Sequence, residues 1–162
     1  MKKFYGLIVI LVLLVSCNSS EDKLDWQTEL NMVNALMDNW HLSAALADEE
    51  IFFGSLDSNA VYLGTDPSER WLKHEFMDWG MKYFQRDTAW VFKPYNRIWE
   101  FSDDRKYAWF DELLETHMGT CRGSGVLKRY DDGWRIVHYN LALTLPNEKM
   151  NDYRKLIGLK KD

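Results

Sequence analysis

Apolar residues recur along this chain at two different spacings, and the change from one to the other divides the sequence. Over residues 24–48, Leu30, Val33, Met37, Trp40 and Ala44 follow one another at three- and four-residue steps, the pattern of a long amphipathic helix with one buried face. Asp48-Glu49-Glu50 and the apolar Ile51, Phe52 and Phe53 then turn the chain, and Gly54 breaks the pattern. Residues 60–64 read as a short strand. The run Asp66-Pro67-Ser68-Glu69 combines a capping side chain, a proline suited to a first helical position and a glutamate placed for a capping box. It predicts a second helix running to about Phe84, with Leu72, Phe76, Trp79 and Tyr83 on one face.

After Gln85 the signal changes to strands. Residues 89–101 alternate imperfectly, and Pro94 near the middle marks a bulge or a sheet edge. Strands follow over 107–115, 121–130 and 134–145, the last two joined by the tight-turn signal Asp131-Asp132-Gly133. Pro146-Asn147 opens a short C-terminal helix over 148–157. Helices first and a run of antiparallel strands afterwards define an α+β layout. A curved sheet wrapped around the helices makes a cone-shaped α+β barrel with a cavity between the layers.

Ahead of this domain, Lys2 and Lys3 precede a continuous apolar run over residues 7–15. The run is short for a permanent membrane helix and suits a signal segment. Leu14-Val15-Ser16-Cys17 resembles the lipobox of bacterial lipoproteins, in which cleavage leaves a lipidated cysteine at the new N-terminus. The expected organisation is therefore a leader over 1–16, lipidated Cys17 with a polar tether over 17–22, and one domain over 23–162. Several acyl chains on Cys17 anchor a protein stably where one does so marginally. The expected location is the bacterial cell envelope, on the periplasmic face or the cell surface.

Composition narrows the functional classes. Acidic residues outnumber basic ones, 25 to 20, for a net charge of −5, and no basic stripe offers an electrostatic footprint for nucleic acid. Eight tryptophans and 15% aromatic residues exceed what most domains of this size carry, so some rings are candidates to line a ligand cavity. With Cys17 acylated, Cys121 has no partner for a disulfide and reads as a small buried hydrophobe. His41, His74, His117 and His138 lack metal-ligand spacing, and the glycines over 119–125 do not lie between a strand and a helix as a phosphate cradle requires. No metal and no cofactor is expected.

Four segments carry a family resemblance: Leu63-Gly-Thr-Asp-Pro-Ser-Glu-Arg-Trp71, Ala108-Trp-Phe-Asp-Glu112, Cys121-Arg-Gly-Ser-Gly-Val-Leu127 and Gly133-Trp-Arg-Ile-Val-His-Tyr-Asn-Leu141, the chain then reaching Leu145-Pro-Asn147. Together they resemble the SnoaL-like branch of the nuclear transport factor 2-like superfamily, over about residues 26–147. The resemblance implies a cone-shaped barrel with a pocket at its mouth, often dimeric through the outer sheet. It implies no single activity, since isomerases, cyclases, dehydratases and non-catalytic binding domains share the fold. Many SnoaL-like relatives have a second histidine where this chain has Asn140, which weakens any paired-histidine site.

Strand alternation groups the candidate pocket residues. Trp109 and Asp111 share one face of their strand, Arg122 and Ser124 one face of the next, and His138 and Asn140 one face of the last. If all three sets point inward, a carboxylate, an imidazole and a guanidinium stand among tryptophans, with Trp79 and Tyr83 closing the cavity and Arg97 reaching it. Asp111 and His138 would then form an acid/base pair, and Arg122 or Arg97 a fork for a carboxylate. An equal reading makes Asp111 and Arg122 a buried ion pair and His138 a core histidine. Three functions follow: a small-molecule-binding lipoprotein domain, a cofactor-free isomerase or lyase using Asp111 and His138, or an interaction module dimerising through its sheet.

Overall fold

Helix α1 (Trp26–Ala45) enters the concave side of a six-stranded sheet and fills it, in the computed structural model, which describes residues 25–159. The leader, Cys17 and the tether lie outside the described residues. Asp25 caps α1 by accepting a hydrogen bond from the Gln27 amide. The expected stripe is the buried one: Val33, Met37, Trp40 and Ala44 are sealed in the core and Leu30 packs against it. His41 and Glu29 on the same helix are buried as well.

The turn expected around residues 48–53 is a short helix, α2 (Glu49–Gly54), started by Asp48, whose carboxylate accepts from the Ile51 amide at 3.0 Å. Strand β1 (Leu56–Leu63) follows and is longer than its apolar centre suggested. The largest departure comes next. Asp66 to Glu69 make hydrogen bonds of capping type, with Ser68 N donating to Asp66 Oδ1 at 2.8 Å and Asp66 N to Glu69 Oε2 at 3.1 Å. They close a turn and not a helix, because the next residues pair as strand β2 (Arg70–Leu72) along the edge of β1. The helix, α3 (Lys73–Phe84), starts six residues later than the capping signal placed it, where the Glu75 carboxylate accepts from the Leu72 amide at 2.8 Å.

The remaining strands are β3 (Lys93–Phe101), β4 (Tyr107–Thr116), β5 (Gly119–Tyr130) and β6 (Gly133–Leu143), in the sheet order β2-β1-β6-β5-β4-β3. All neighbours run antiparallel except β1 and β6, which are parallel. Gly133 closes the β5–β6 turn at φ 134°, a conformation open to glycine and strained for other residues. A 3-10 turn (Asn147–Lys149) and a last helix, α4 (Met150–Leu156), end the described chain. The fold is the α+β cone, N-terminal helices held in a strongly curved sheet.

Two bulges shape the cone. Between the pairs Tyr95↔Leu113 and Ile98↔Asp111, two residues of edge strand β3, Asn96 and Arg97, face the single Glu112, which realises the irregularity that Pro94 announced. In β6, Leu127 pairs with Ile136 and Val126 with His138, leaving Val137 as an extra residue. Trp134 and Ile136 point into the core ahead of this bulge, and Tyr139 and Leu141 point into it afterwards.

Candidate ligand pocket at the mouth of the cone

The bulge in β6 and the parity of β4 and β5 decide where the expected site residues stand. The buried residues are Ala108, Phe110, Glu112 and Leu114 in β4, and Cys121, Gly123, Gly125 and Leu127 in β5. Trp109, Asp111, Arg122, Ser124, His138 and Asn140 therefore lie on the outer face of the sheet, opposite to the inward arrangement considered from alternation. Asp111 stands in one cross-strand row with Ser124 and Asn140, and His138 in the next row with Trp109 and Val126. With β5 between them and one row of offset along the strands, Asp111 and His138 are about 12 Å apart, and neither lines a cavity on the inner side. They do not form an acid/base pair, and Asp111 with Arg122 do not form a buried ion pair.

Glu112, one residue from Asp111, is the carboxylate that the cone encloses. His41 Nε2 lies 2.6 Å from its Oε1, and Arg97 donates from Nε to its Oε2 at 2.7 Å. Arg97 also reaches back to α1, donating to Asn34 Oδ1 at 3.1 Å and to Asp38 Oδ1 at 2.8 Å, while Trp99 Nε1 donates to Asn34 Oδ1 at 2.9 Å. The β3 bulge aims Arg97 at Glu112, and the one-face spacing of Asn34, Asp38 and His41 on α1 supplies the other partners. Burial pushes the Glu112 carboxyl up, but hydrogen bonds and charge from His41 and Arg97 outweigh it and leave the group below its ordinary value. Beside it, the Tyr139 hydroxyl is buried with no hydrogen-bond partner among the described residues. Burial, then the Glu112 charge, drives that phenol far above its ordinary value. Gly123 is open to this crowding: a Cβ there would stand 2.5 Å from the Tyr139 hydroxyl and 3.0 Å from Glu112 Oε1. Arg97 thus belongs to a buried network that ties α1 to the sheet.

The cavity itself borders this network: Phe92 and Tyr62 in its wall lie 6.5 and 5.6 Å, ring to ring, from His41 and Tyr139. It has a volume of about 230 Å³ and takes its walls from seven places in the chain, the β1–β2 turn with Glu69 and β6 with Leu141 among them. Helix α3 presents Phe76, Trp79 and Tyr83, spaced by three and four residues and so stacked on one face. Trp90 and Phe92 come from the segment before β3, Trp71 from β2, Tyr62 from β1, and His117 with Met118 from the β4–β5 turn. Trp79 and Tyr83, expected to close a cavity walled by Trp109, Asp111 and His138, line this one instead. Trp71, Trp90 and Phe92 join them unforeseen, since nothing in their local pattern ties them to α3.

The rings form a layered pile. Trp71 and Trp79 stack with centroids 4.7 Å apart, Trp79 and Trp90 lie within 7° of parallel at 6.2 Å, and Tyr62 stacks on Phe76 at 4.0 Å. Tyr83 leans across Trp79 and Trp90 at 5.1 and 5.4 Å. Such offset contacts rigidify large side chains without filling the space above them. Among the described residues that line this apolar cup, one carries a permanent charge, the carboxylate of Glu69. Gly64 admits it: any Cβ at position 64 would collide with the Glu69 side chain. Burial, then the Glu69 charge, raises the Tyr62 phenol well above its ordinary value. Among the described residues no cluster of histidine, cysteine and acidic side chains is placed to hold a metal ion.

A family model for the SnoaL-like domain matches residues 33–146. A comparison with functionally curated proteins finds no match. Among solved structures, a domain of unknown function with a cystatin-like fold from Nostoc punctiforme superposes with a TM-score of 0.69 at 12% identity, covering 84% of this chain and 90% of that one. An NTF2-like protein of unknown function from Pseudomonas putida gives 0.62 at 12% identity, covering 77% and 92%. A candidate scytalone dehydratase from Novosphingobium aromaticivorans gives 0.61 at 8% identity, covering 74% and 86%. At these identities the likeness concerns the fold alone.

Proposed function

This chain belongs to the SnoaL-like domain family, and from that premise we propose that it is a lipid-anchored envelope protein whose cone binds a small molecule at its mouth. The observation that carries the reading is the aromatic cup: seven rings from four separate chain segments converge on an open cavity in place of closing it. An apolar recess with few polar groups is the usual anatomy of a ligand site. The anchor rests on the leader, with Lys2 and Lys3, the apolar run and Ser16-Cys17.

Native mass spectrometry of the mature protein, released from membranes in mild detergent, tests the reading. A retained small molecule that leaves on gentle activation, and whose occupancy falls in Trp79→Ala, is the expected result. A clean apo mass after incubation with envelope extract removes it. In the same cells, Cys17→Ser moves the protein from the membrane to the soluble fraction if the anchor is as proposed.

A second reading, self-association through the sheet, is favoured by one observation. Ile98 and Trp109 are 62% and 45% exposed on the outer face, among the apolar side chains that the cone leaves uncovered.

A further inference from the structure

We propose that the cup selects an organic cation, an alkylammonium or protonated amine, seated on the faces of Trp71, Trp79 and Tyr83 with the Glu69 carboxylate as its counter-charge. The inference rests on the cup being a ligand site and names the chemistry of what enters it.

Three observations converge. First, the lining is rich in indole and phenol rings, whose faces carry the negative end of the ring quadrupole and attract positive charge. Second, the permanent charge among the lining side chains is negative. Glu69 is fixed at the rim by the turn that Asp66 and Ser68 close, and held against Gly64 where no other residue would leave room. Among the described residues, an anionic ligand would meet that carboxylate and find only the exposed His117 to pair with. Third, the same rings already collect cations on the α3 side. Lys82 Nζ stands 5.4 Å from the centre of Trp79 and 5.1 Å from that of Tyr83, and the Arg86 guanidinium lies 4.8 Å from Tyr83. Neither Lys82 nor Arg86 lines the cavity. The ring pile therefore has cations on its α3 side and, among the described residues that line the cavity, a carboxylate and no lysine or arginine.

The volume agrees with a compact ligand. At about 230 Å³ the cup is somewhat larger than an engineered cavity of roughly 150 Å³ that accepts benzene. A branched ammonium head with a short tail fits that scale.

The test uses the full mature protein and a neutral fluorophore, N-phenyl-1-naphthylamine, to report on the cup. Three competitors of the same shape are compared: choline, its uncharged carbon isostere 3,3-dimethyl-1-butanol, and the anion 3,3-dimethylbutanoate. Choline is expected to displace the fluorophore at about tenfold lower concentration than the isostere, with the anion weakest. In Glu69→Gln, which keeps an oxygen for the Asp66 amide, that advantage is expected to fall to about threefold or less. Equal displacement by choline and the isostere, or stronger displacement by the anion, overturns the cation while the cup stands. An unchanged preference in Glu69→Gln overturns the counter-charge. A fluorophore that fails to bind the wild-type protein removes the cup itself and the cation with it. The wild-type comparison needs no variant, so a misfolded mutant cannot decide it.

Discussion

Glu112 and His41, 71 positions apart in the chain, meet at 2.6 Å in the centre of the cone with side chains 0% and 4% exposed. The contact joins β4 to α1, and Arg97 locks it from β3. Replacing Glu112 with alanine removes the buried carboxylate that His41 and Arg97 share and is expected to cost about 3–5 kcal/mol. Because the folded state holds the Glu112 carboxyl below its ordinary value, the unfolded chain takes up its proton first as pH falls. The stabilisation is complete above the unfolded value of 4.5 and disappears as pH drops through the folded one. Urea midpoints between pH 7 and pH 3 should fall more steeply for the wild type than for Glu112→Gln; parallel slopes would remove Glu112 from acid sensitivity.

The unpaired Tyr139 hydroxyl points to an opposite effect. A buried polar group without a partner carries a desolvation cost that a phenyl ring does not. Tyr139→Phe is expected to be neutral or to stabilise by up to ~1 kcal/mol in urea denaturation. A loss above about 1 kcal/mol would mean that the hydroxyl is satisfied in solution.

Gly123 admits both neighbours. Alanine at this position would press on the Tyr139 hydroxyl and on Glu112 together. Neither side chain can retreat without breaking the network or the ring packing, so Gly123→Ala should cost about 1–3 kcal/mol. Gly54→Ala, with open space around it, serves as the control and should leave the urea midpoint unchanged or raised.

Outer-face substitutions separate association from stability. Changing Ile98 and Trp109 together to lysine should leave the urea midpoint of the monomer within about 0.5 kcal/mol of wild type and abolish any dimer seen by analytical ultracentrifugation. Asp111→Asn and His138→Ala should alter neither ligand occupancy nor fold. A loss of ligand in either would return the site to the outer face.

Much of this architecture could be read from the sequence because periodicity reports burial directly. The stripe of Val33, Met37, Trp40 and Ala44 specifies α1, and Asp132-Gly133 specifies the last hairpin. Other features are not local. A capping box satisfies amides in a turn as readily as in a helix, so Asp66 and Glu69 could not announce that β2 would intervene before α3. Alternation assigns residues to two faces without saying which is inside, though Arg122 and Lys128 opposite Gly123 and Leu127 carried a usable hint. The bulge at Val137 was silent, and it alone detaches His138 from the inward set of Trp134 and Ile136. Trp71 and Trp90 joined the cup through tertiary packing, which no spacing rule around either residue encodes.

The parallel pairing of β1 with β6 has a consequence for the order of events. Tyr62 finds its neighbour Tyr139 only after nearly the whole domain has been made. The β3–β4–β5 meander can zip as each strand arrives, but until the final strand is present it lacks the neighbour that joins it to β1. Contacts this distant in sequence slow closure, so the chain stays open until its last fifth is available. Under the proposed export through a membrane before folding, that delay is an asset: the unfinished cone cannot jam the passage.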